Sequence, residues 1–278
     1  MSVLAFSSIL LVVSYFAGIL GAITGLGGGA VLIPVLVLFF HVNIYYAMGA
    51  SLIAVIATSS GATAVYLRHG LTNLRIGMLL EVGAVSGALL GAWLVPSFPA
   101  ASLAILLGMV LLVSAYFVLK RPGDSETATA AHPWAQALQL NGSFPIPGGT
   151  QTYQVQGVPL ALLVMSLAGL LSGLLGIGAG VLKVLAMDQT MRLPYRVSTT
   201  TSNFMIGITA TASVGLYFTH GYLDPGLIFP VLLGVLLGSF TGTRLLTLLS
   251  IRTLRLIFSV VVCLLGFELI YKGLTGAV

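Results

Sequence analysis

Two glycine-rich stretches are the part of this sequence best suited to bind a ligand, and both interrupt strongly apolar segments. The first lies in "GAITGLGGGAVLIPV", residues 21–35, and the second in "GLLGIGAGVLKVL", residues 173–185. Glycine weakens a helix and lets a ligand approach the backbone closely. A helix that begins directly after such a break offers free N–H groups and the positive end of its dipole. The two stretches therefore predict binding of a small anion.

The elements that must position these breaks are membrane helices. Of the 278 residues, 58% are hydrophobic and 6% are charged, whereas about a quarter of the residues in a soluble domain are charged. Apolar runs of this length predict an all-α polytopic membrane protein. Long spans are predicted at 4–24, 46–66, 76–95, 101–119, 158–175, 197–218, 226–246 and 253–271. Two shorter apolar arms, 30–41 and 181–191, follow the two breaks.

The membrane part of the chain consists of two similar halves. A shift of 151 residues, without a gap, places Gly25 on Gly176. The same shift places the motif Y-x-x-H-G at Tyr66 on an identical motif at Tyr217. Such self-similarity predicts two structural repeats, and the polar, Pro- and Gly-containing segment between them predicts an extramembrane linker. The predicted domains are a first membrane repeat, a polar linker and a second membrane repeat, at 1–121, 122–157 and 158–278.

The positive charges indicate how the two halves are oriented. If each short arm counts as a crossing, each half crosses five times and the second half is inverted. Nine of the eleven Lys and Arg residues then face one side, as the positive-inside rule favours. If the arms do not cross, the halves are parallel and the charges divide between the two sides. The rule therefore favours two inverted repeats, each with four long transmembrane helices plus one short broken or re-entrant helix, with the linker cytoplasmic and both termini outside.

The length of the arms places their N-termini inside the membrane. A helical arm of this length reaches about 18 Å, against a hydrocarbon core of about 30 Å, so both breaks are expected near the midplane. Close helix packing is the alternative role for glycines in lipid, and it is the role predicted for those spaced by four at Gly83, Gly87, Gly91, Gly234, Gly238 and Gly242. The candidate substrate-binding residues of the breaks are Gly25, Gly27, Gly28, Gly29, Gly176, Gly178, Ala179 and Gly180.

Polar side chains at the level of the breaks are further candidates. Lys183 lies in the first turns of the second arm, where it can neutralise an anion or pair with Asp188. Glu81 is expected to pair with Arg75 near the end of its span. Hydroxyl and amide groups at this depth can donate to an oxyanion, or can bond their own helix backbone. The candidates of this kind are Thr58, Ser59, Thr209, Ser202 and Asn203.

At these motifs the chain resembles the sulfite exporter TauE/SafE family, also called the toluene-sulfonate uptake permease family. The resemblance covers about 17–119 and 158–271, and it rests on "GLGGGAVLIPVL" and "AMGASLIAVIATSSGATAVYLRHG" in the first half and on "GIGAGVLKVLAMDQTMRLPYRVSTTTSNF" in the second. It implies transport of sulfur-containing anions, such as sulfite or small organosulfonates, across a bacterial inner membrane. The second copy departs from the pattern, because Ala179 replaces a glycine and its arm lacks a counterpart of Pro34.

Together these features predict a secondary transporter that moves a small anion by alternating access, and not an enzyme. A passive anion channel of the same architecture is an alternative. An intramembrane hydrolase would need Ser86 or Ser172 beside a histidine base, and the four histidines lie in loops or at span ends. Without a P-loop, Cys/His metal spacing or a basic aromatic patch, no cofactor and no nucleic acid is expected. The expected partners are the anionic substrate and the lipid bilayer, and the sequence leaves a homo-oligomer open.

Overall fold

A computed structural model of the chain is a bundle of long helices with a small linker subdomain at one end. The structure describes residues 3–24, 27–68, 70–120, 133–146, 149–245 and 251–276. Within these ranges seven helices are long and apolar enough to cross a membrane. The chain is therefore an all-α, multi-pass membrane protein, as its composition predicts.

Within the described ranges, each half contains five helices, one of them short. In the first half these are α1 Val3–Thr24, α2 Gly29–Phe39, α3 Ile44–Arg68, α4 Leu74–Leu94 and α5 Ala100–Lys120. The linker contributes α6 Pro133–Ala137 and an antiparallel hairpin of β1 Gly142–Ile146 and β2 Gly149–Tyr153. In the second half the helices are α7 Val158–Leu175, α8 Gly180–Leu185, α9 Tyr195–Thr219, α10 Pro225–Leu245 and α11 Ile251–Thr275. A single π-helical stretch, Ala186–Thr190, extends α8.

Helix α9 is the predicted span that is not among the seven apolar ones. Its first turns carry the run "STTTSN", residues 198–203, which lowers its hydropathy. Most of these side chains are nevertheless buried, because α9 packs against α3, α4, α7 and α8. A polar helix is tolerated at this depth where protein rather than lipid surrounds it.

Glycines bring two pairs of helices from different halves into backbone contact. A Cβ atom at Gly87 of α4 would overlap the carbonyl oxygen of Ser166 in α7, and one at Gly238 of α10 would overlap that of Tyr15 in α1. The glycines one turn before and after repeat the pattern in both pairs. The packing role predicted for these glycines is confirmed, and both pairs run parallel. We call these two contacts the glycine seams.

Two pairs of helices that the 151-residue shift relates, α3 with α9 and α5 with α11, pack against each other in opposite directions. Between α5 and α11, Gly108 faces Gly266 and Gly273 faces Ala101, so the two helices are antiparallel. Between α3 and α9, the hydroxyl of Ser59 donates to the carbonyl oxygen of Asn203 near the middle of both helices. Tyr222, just beyond the end of α9, packs against the start of α3 at Gly49, so this pair is antiparallel as well.

The linker subdomain is fixed to the loop between α3 and α4. Asn73 caps α4 and its side-chain amide donates to the carbonyl oxygen of Leu140 at 3.0 Å and to the hydroxyl of Tyr153 at 2.7 Å. Burial raises the pKa of Tyr153 above its ordinary value of 10.0, so the hydroxyl keeps its proton at neutral pH. This end of the molecule is called the linker end below, and the end that carries the start of α1 is called the terminal end.

Candidate functional site

Both short helices begin inside the protein and return to the end from which their half entered. The α2 start at Gly28 packs against Ala17 and Gly18, about two thirds of the way along α1 and not at its end. The α2 end lies beside the start of α1, because the rings of Phe6 and Phe40 are 5.6 Å apart. In the second half, the backbone N–H of Gln156, before α7, donates to the carbonyl oxygen of Met191 after the α8 segment. Each break is thus a sharp reversal in mid-bundle.

The two reversals meet at the centre of the molecule. Gly27 and Gly178, with φ of 71° and 73°, both pack on the side chains of Val55 and Ile206 from α3 and α9. The hydroxyl of Ser51 donates to the carbonyl oxygen of Gly176 at 2.7 Å, which joins α3 directly to the break of the other half. Positive φ is a conformation that glycine adopts at little cost, so these glycines are required by the reversals themselves.

Most of the predicted break residues lie together in this centre. Gly27, Gly28 and Gly29 are buried, and so are their second-half counterparts from Gly176 to Gly180. Ala179 is also buried and has a φ of 45°, which is strained for a residue with a Cβ atom,. Gly25 lies outside the described residues.

A small cavity borders the starts of both short helices. It is lined by Ala30 of α2, by α8 from Gly180 to Leu182, and by side chains of α5 and α11 that include Ser114 and Phe258. Its volume is about 10 Å³, which is room for about one water molecule. An oxyanion with several oxygen atoms needs more space, so this conformation is closed around the breaks.

The predicted hydroxyl and amide candidates divide into two groups. Ser202 reaches a break, because its hydroxyl donates to the carbonyl oxygen of Gly180 at 3.1 Å. Asn203 is buried, and its amide nitrogen has no hydrogen-bond partner among the described residues. Thr58, by contrast, donates to its own helix backbone at Ala54 or Val55, both 3.0 Å away. Ser59 is used in the contact between α3 and α9.

Lys183 lies one helical turn beyond Gly180, and its charge is paired across the bundle. Its side chain is fully buried, and its Nζ lies 3.9 Å from Oε2 of Glu81 in α4. Nζ also donates to the hydroxyl of Thr209 and to the carbonyl oxygen of Met205, the latter at 3.3 Å. The hydroxyl of Thr209 in turn donates to Oε1 of Glu81. We call Glu81, Lys183 and Thr209 the buried ion-pair cluster.

This cluster corrects two expectations from the sequence. The partner of Lys183 is Glu81 and not Asp188, and Arg75 donates to Gln139 of the linker rather than to Glu81. Sequence reasoning missed Glu81 as a site residue because its partner lies on a helix of the other half. A usable signal was present, since an acidic residue seven positions inside an apolar span is by default a functional candidate.

The serines proposed for hydrolysis are used differently. The hydroxyl of Ser86 donates to the carbonyl oxygen of Gly83 at 2.9 Å, within its own helix. Ser172 is buried in α7. The described histidines, His41 and His220, lie after the ends of α2 and α9. The described residues therefore offer no serine–histidine pair.

Comparison with known proteins gives matches over nearly the whole chain. The probable membrane transporter protein YunE of Bacillus subtilis is 28% identical over 276 residues, which cover 96% of this chain and 98% of that protein. The probable membrane transporter protein YdhB of the same organism is 28% identical over 87% of this chain and 91% of its own length. The probable membrane transporter protein MamO of Paramagnetospirillum magneticum is 23% identical, and the match covers 44% of that longer protein.

No solved structure matches the chain. The model of one protein family, "Sulfite exporter TauE/SafE", matches residues 10–269. This match includes both glycine breaks, both short helices and the buried ion-pair cluster. The chain belongs to the sulfite exporter TauE/SafE family of membrane proteins.

Proposed function

We propose that this protein is a secondary transporter that moves a small sulfur-containing anion, such as sulfite or an organosulfonate, across the bacterial inner membrane. Family membership and the names of its relatives support a transport role. The observation that carries the proposal is the convergence of two glycine breaks at the centre of the bundle, each followed by a short helix that begins there. The substrate binds at these breaks, where backbone N–H groups and two helix N-termini favour an anion.

Inverted symmetry of the two halves is part of this proposal. The antiparallel pairs α3 with α9 and α5 with α11 support it, because equivalent helices of inverted repeats run in opposite directions. Exposed arginines at the linker end support a cytoplasmic linker by the positive-inside rule. They are Arg68, Arg75, Arg192 and Arg196. Lys272 lies at the terminal end, where its Nζ approaches the carbonyl oxygen of Leu38 at 3.5 Å.

The glycine seams determine which helices move together in alternating access. Each seam joins a helix of one half to a helix of the other, so the halves do not separate as units. We assign α1, α2, α3 and α10 to one moving body, because α10 packs against both α1 and α3. We assign α4, α7, α8 and α9 to the other, because α4 packs against both α7 and α9. The two bodies meet at α3 and α9, next to the breaks. Opening at this contact first at the linker end and then at the terminal end would expose the substrate to the two sides of the membrane in turn. The closed conformation described above is the intermediate between these two open forms.

Ligand binding to the purified protein is the first test. Sulfite, thiosulfate, small sulfonates, sulfate, phosphate and carboxylates are compared by thermal shift at matched ionic strength. A ligand that binds only the folded state at a hundredfold excess over Kd stabilises it by about 2.7 kcal/mol. Selective stabilisation by a sulfur anion is expected. Equal small shifts for all anions would contradict the proposed substrate class.

Counterflow then separates a carrier from a channel. Liposomes loaded with the unlabelled anion are expected to take up the labelled anion transiently against its gradient, because a carrier exchanges substrates one for one. A passive channel lets the label equilibrate without such an overshoot. Liposomes without protein, and liposomes with a sulfur anion that gave no thermal shift, are the controls.

A further inference from the structure

The buried ion-pair cluster lies beside only one of the two glycine breaks, although the two halves are otherwise similar. The 151-residue shift relates Lys183 to Leu32, Glu81 to Leu232 and Thr209 to Thr58. Leu32 is fully buried and Leu232 is packed against the same core. The fold therefore tolerates leucines at both positions, and an ion pair is not needed to hold a helix beside a glycine break.

A buried ion pair is also a poor way to stabilise this contact. Removing two charges from water costs several kcal/mol per ion, and apolar replacements are often neutral or stabilising. Here Oε2 of Glu81 accepts no hydrogen bond from the described residues, so the carboxylate is incompletely satisfied. Ionisable groups at this depth in membrane proteins mark ion and proton pathways.

Among the described residues, Glu81 forms its ion pair with Lys183 alone. Helix α7 carries no titratable side chain, and Arg75 of α4 lies about 9 Å further along its helix, bonded to Gln139,. Arg196 of α9 is thirteen residues from Thr209, which is about 20 Å of helix. Several titratable side chains occur on the described elements that pack against the helices of the cluster. Beyond Glu81 and Lys183 they are Tyr45, Tyr46, Tyr66, Arg68, Arg75, Tyr116, Tyr153, Asp188, Tyr195, Arg196 and Tyr217. Lys183 is the cation within 4 Å of Glu81 among the described residues.

We propose that Glu81 is a proton-binding site that couples anion transport to proton movement. When Glu81 binds a proton, Lys183 loses its anionic partner and can pair with the substrate. This inference rests on the proposed transport function and adds its coupling ion. A hydronium ion from the acidic side gives up one proton, which forms an O–H bond with Oε2 of Glu81 and leaves a water molecule; no oxidation or reduction takes place. Lys183 then has no anionic partner, and the substrate anion at the adjacent break supplies one.

Charge balance determines the stoichiometry. Without substrate, the cluster holds Lys⁺ and Glu⁻ and has no net charge. With substrate, it holds Lys⁺, a neutral Glu81 and one monovalent anion, and again has no net charge. Both forms can reorient through the low-dielectric centre without carrying a net charge, whose burial is costly. The expected reaction is therefore symport of one proton with one monoanion, and an inward proton gradient drives the anion inward.

Proteoliposomes with labelled ethanesulfonate test this inference, because a sulfonate stays ionised throughout the accessible pH range and adds no titration of its own. With the membrane potential held at zero, an inward gradient of about one pH unit should drive about tenfold accumulation by the wild type. The Glu81→Gln variant should still show counterflow but should accumulate no label, with a ratio near one. Equal accumulation by the variant and the wild type would overturn the inference while leaving the carrier function intact.

The leucine pair at the equivalent positions around the first break supplies a matched control. The double variant Glu81→Leu/Lys183→Leu recreates the leucines found at Leu32 and Leu232, so it should fold, and its elution in detergent checks this. It should lose accumulation in the pH gradient. Retained accumulation by the folded double variant would assign the pair a purely structural role and overturn the inference.

A spectroscopic measurement tests the proton site without any transport. Infrared difference spectra of the protein in membranes with ethanesulfonate present, from about pH 8 to about pH 5, should show a protonated-carboxyl band that Glu81→Gln removes. A spectrum in which the variant and the wild type agree would overturn the inference whatever the transport assays give. A Glu81 band together with absent counterflow would instead contradict the proposed function.

Discussion

The two halves of this protein share the same backbone arrangement but differ in the side chains around it. Both have a glycine reversal, a short helix that begins in mid-bundle and a glycine seam to the other half. Only the second break is followed, one turn later, by a lysine that lies opposite a glutamate, and the equivalent positions around the first break are both leucines. The architecture therefore depends on the repeated glycines, whereas the charged pair is an addition beside one break.

The two short helices also differ in how they are built. In the first half, α2 is a continuous helix of 11 residues with Pro34 in its interior, and Gly28 precedes it with a φ of −62°. In the second half, α8 has 6 residues, continues as a π-helical stretch, and follows Ala179 with a φ of 45°. π-Helical stretches and strained residues are frequent at functional sites. This is a second sign that the second half carries the more specialised part of the site.

A crosslink between the two proposed moving bodies should have the largest effect on transport, because neither body could then move relative to the other. The variant combines Ser59→Cys and Gly207→Cys in a background in which Cys263 is replaced by serine. The two new thiols face each other across the contact of α3 and α9, because a Cβ atom added at Gly207 would lie 3.1 Å from the Cβ atom of Ser59. Oxidation should abolish transport and reduction should restore it. Each single-cysteine variant is the control. Unchanged transport by the crosslinked protein would rule out opening at this contact.

Breaking the ion pair should affect stability far more than changing the equivalent first-half position. Lys183→Met leaves the carboxylate of Glu81 without a cation, and loss of one partner of a buried pair costs about 3–5 kcal/mol. Leu32→Met, at the equivalent position, should cost less than about 1.5 kcal/mol because the volume is conserved. Thermal unfolding in detergent measures both. Similar losses in the two variants would show that the asymmetry has no energetic consequence.

Substitutions in the two glycine seams should lower the free energy of unfolding by similar amounts. Gly87→Ala and Gly238→Ala each force a methyl group into a carbonyl oxygen of the neighbouring helix, and overpacking of this kind typically costs about 1–3 kcal/mol. Gly215 of α9 has open space around its Cβ position. Gly215→Ala should therefore be neutral or stabilise the protein by up to about 1 kcal/mol. A seam variant as stable as Gly215→Ala would contradict the close contact in that pair.

The smallest effect is expected at the residues that precede the two short helices. Ala179→Gly relieves a left-handed conformation that costs about 1–2 kcal/mol for a residue with a Cβ atom, and part of this gain is offset by the flexible unfolded chain. A net stabilisation of about 0.5–1 kcal/mol is expected in thermal unfolding. Gly28→Ala should give no such gain, because its φ is already −62°. Destabilisation by Ala179→Gly would show that the methyl group packs usefully.

The sequence alone was sufficient for much of this architecture. Eight long helices and two short ones lie within a few residues of their predicted positions, because apolar runs, glycines and prolines act locally. The four-residue spacing of Gly83, Gly87 and Gly91 likewise predicted a packing face, since it depends only on helix geometry. The repeat and the family resemblance follow from the order of residues and need no contacts.

Three features depended on the tertiary structure. The pairing of Glu81 with Lys183 joins residues about a hundred positions apart, and helix periodicity does not say which helices are neighbours. The seams that join α1 to α10 and α4 to α7 each pair a helix of one half with a helix of the other, which the linear order of two repeats does not suggest. The meeting of both breaks on Val55 and Ile206 likewise requires α3 and α9 to cross there. Spacing along the chain determines the elements, whereas long-range packing decides which side chains meet.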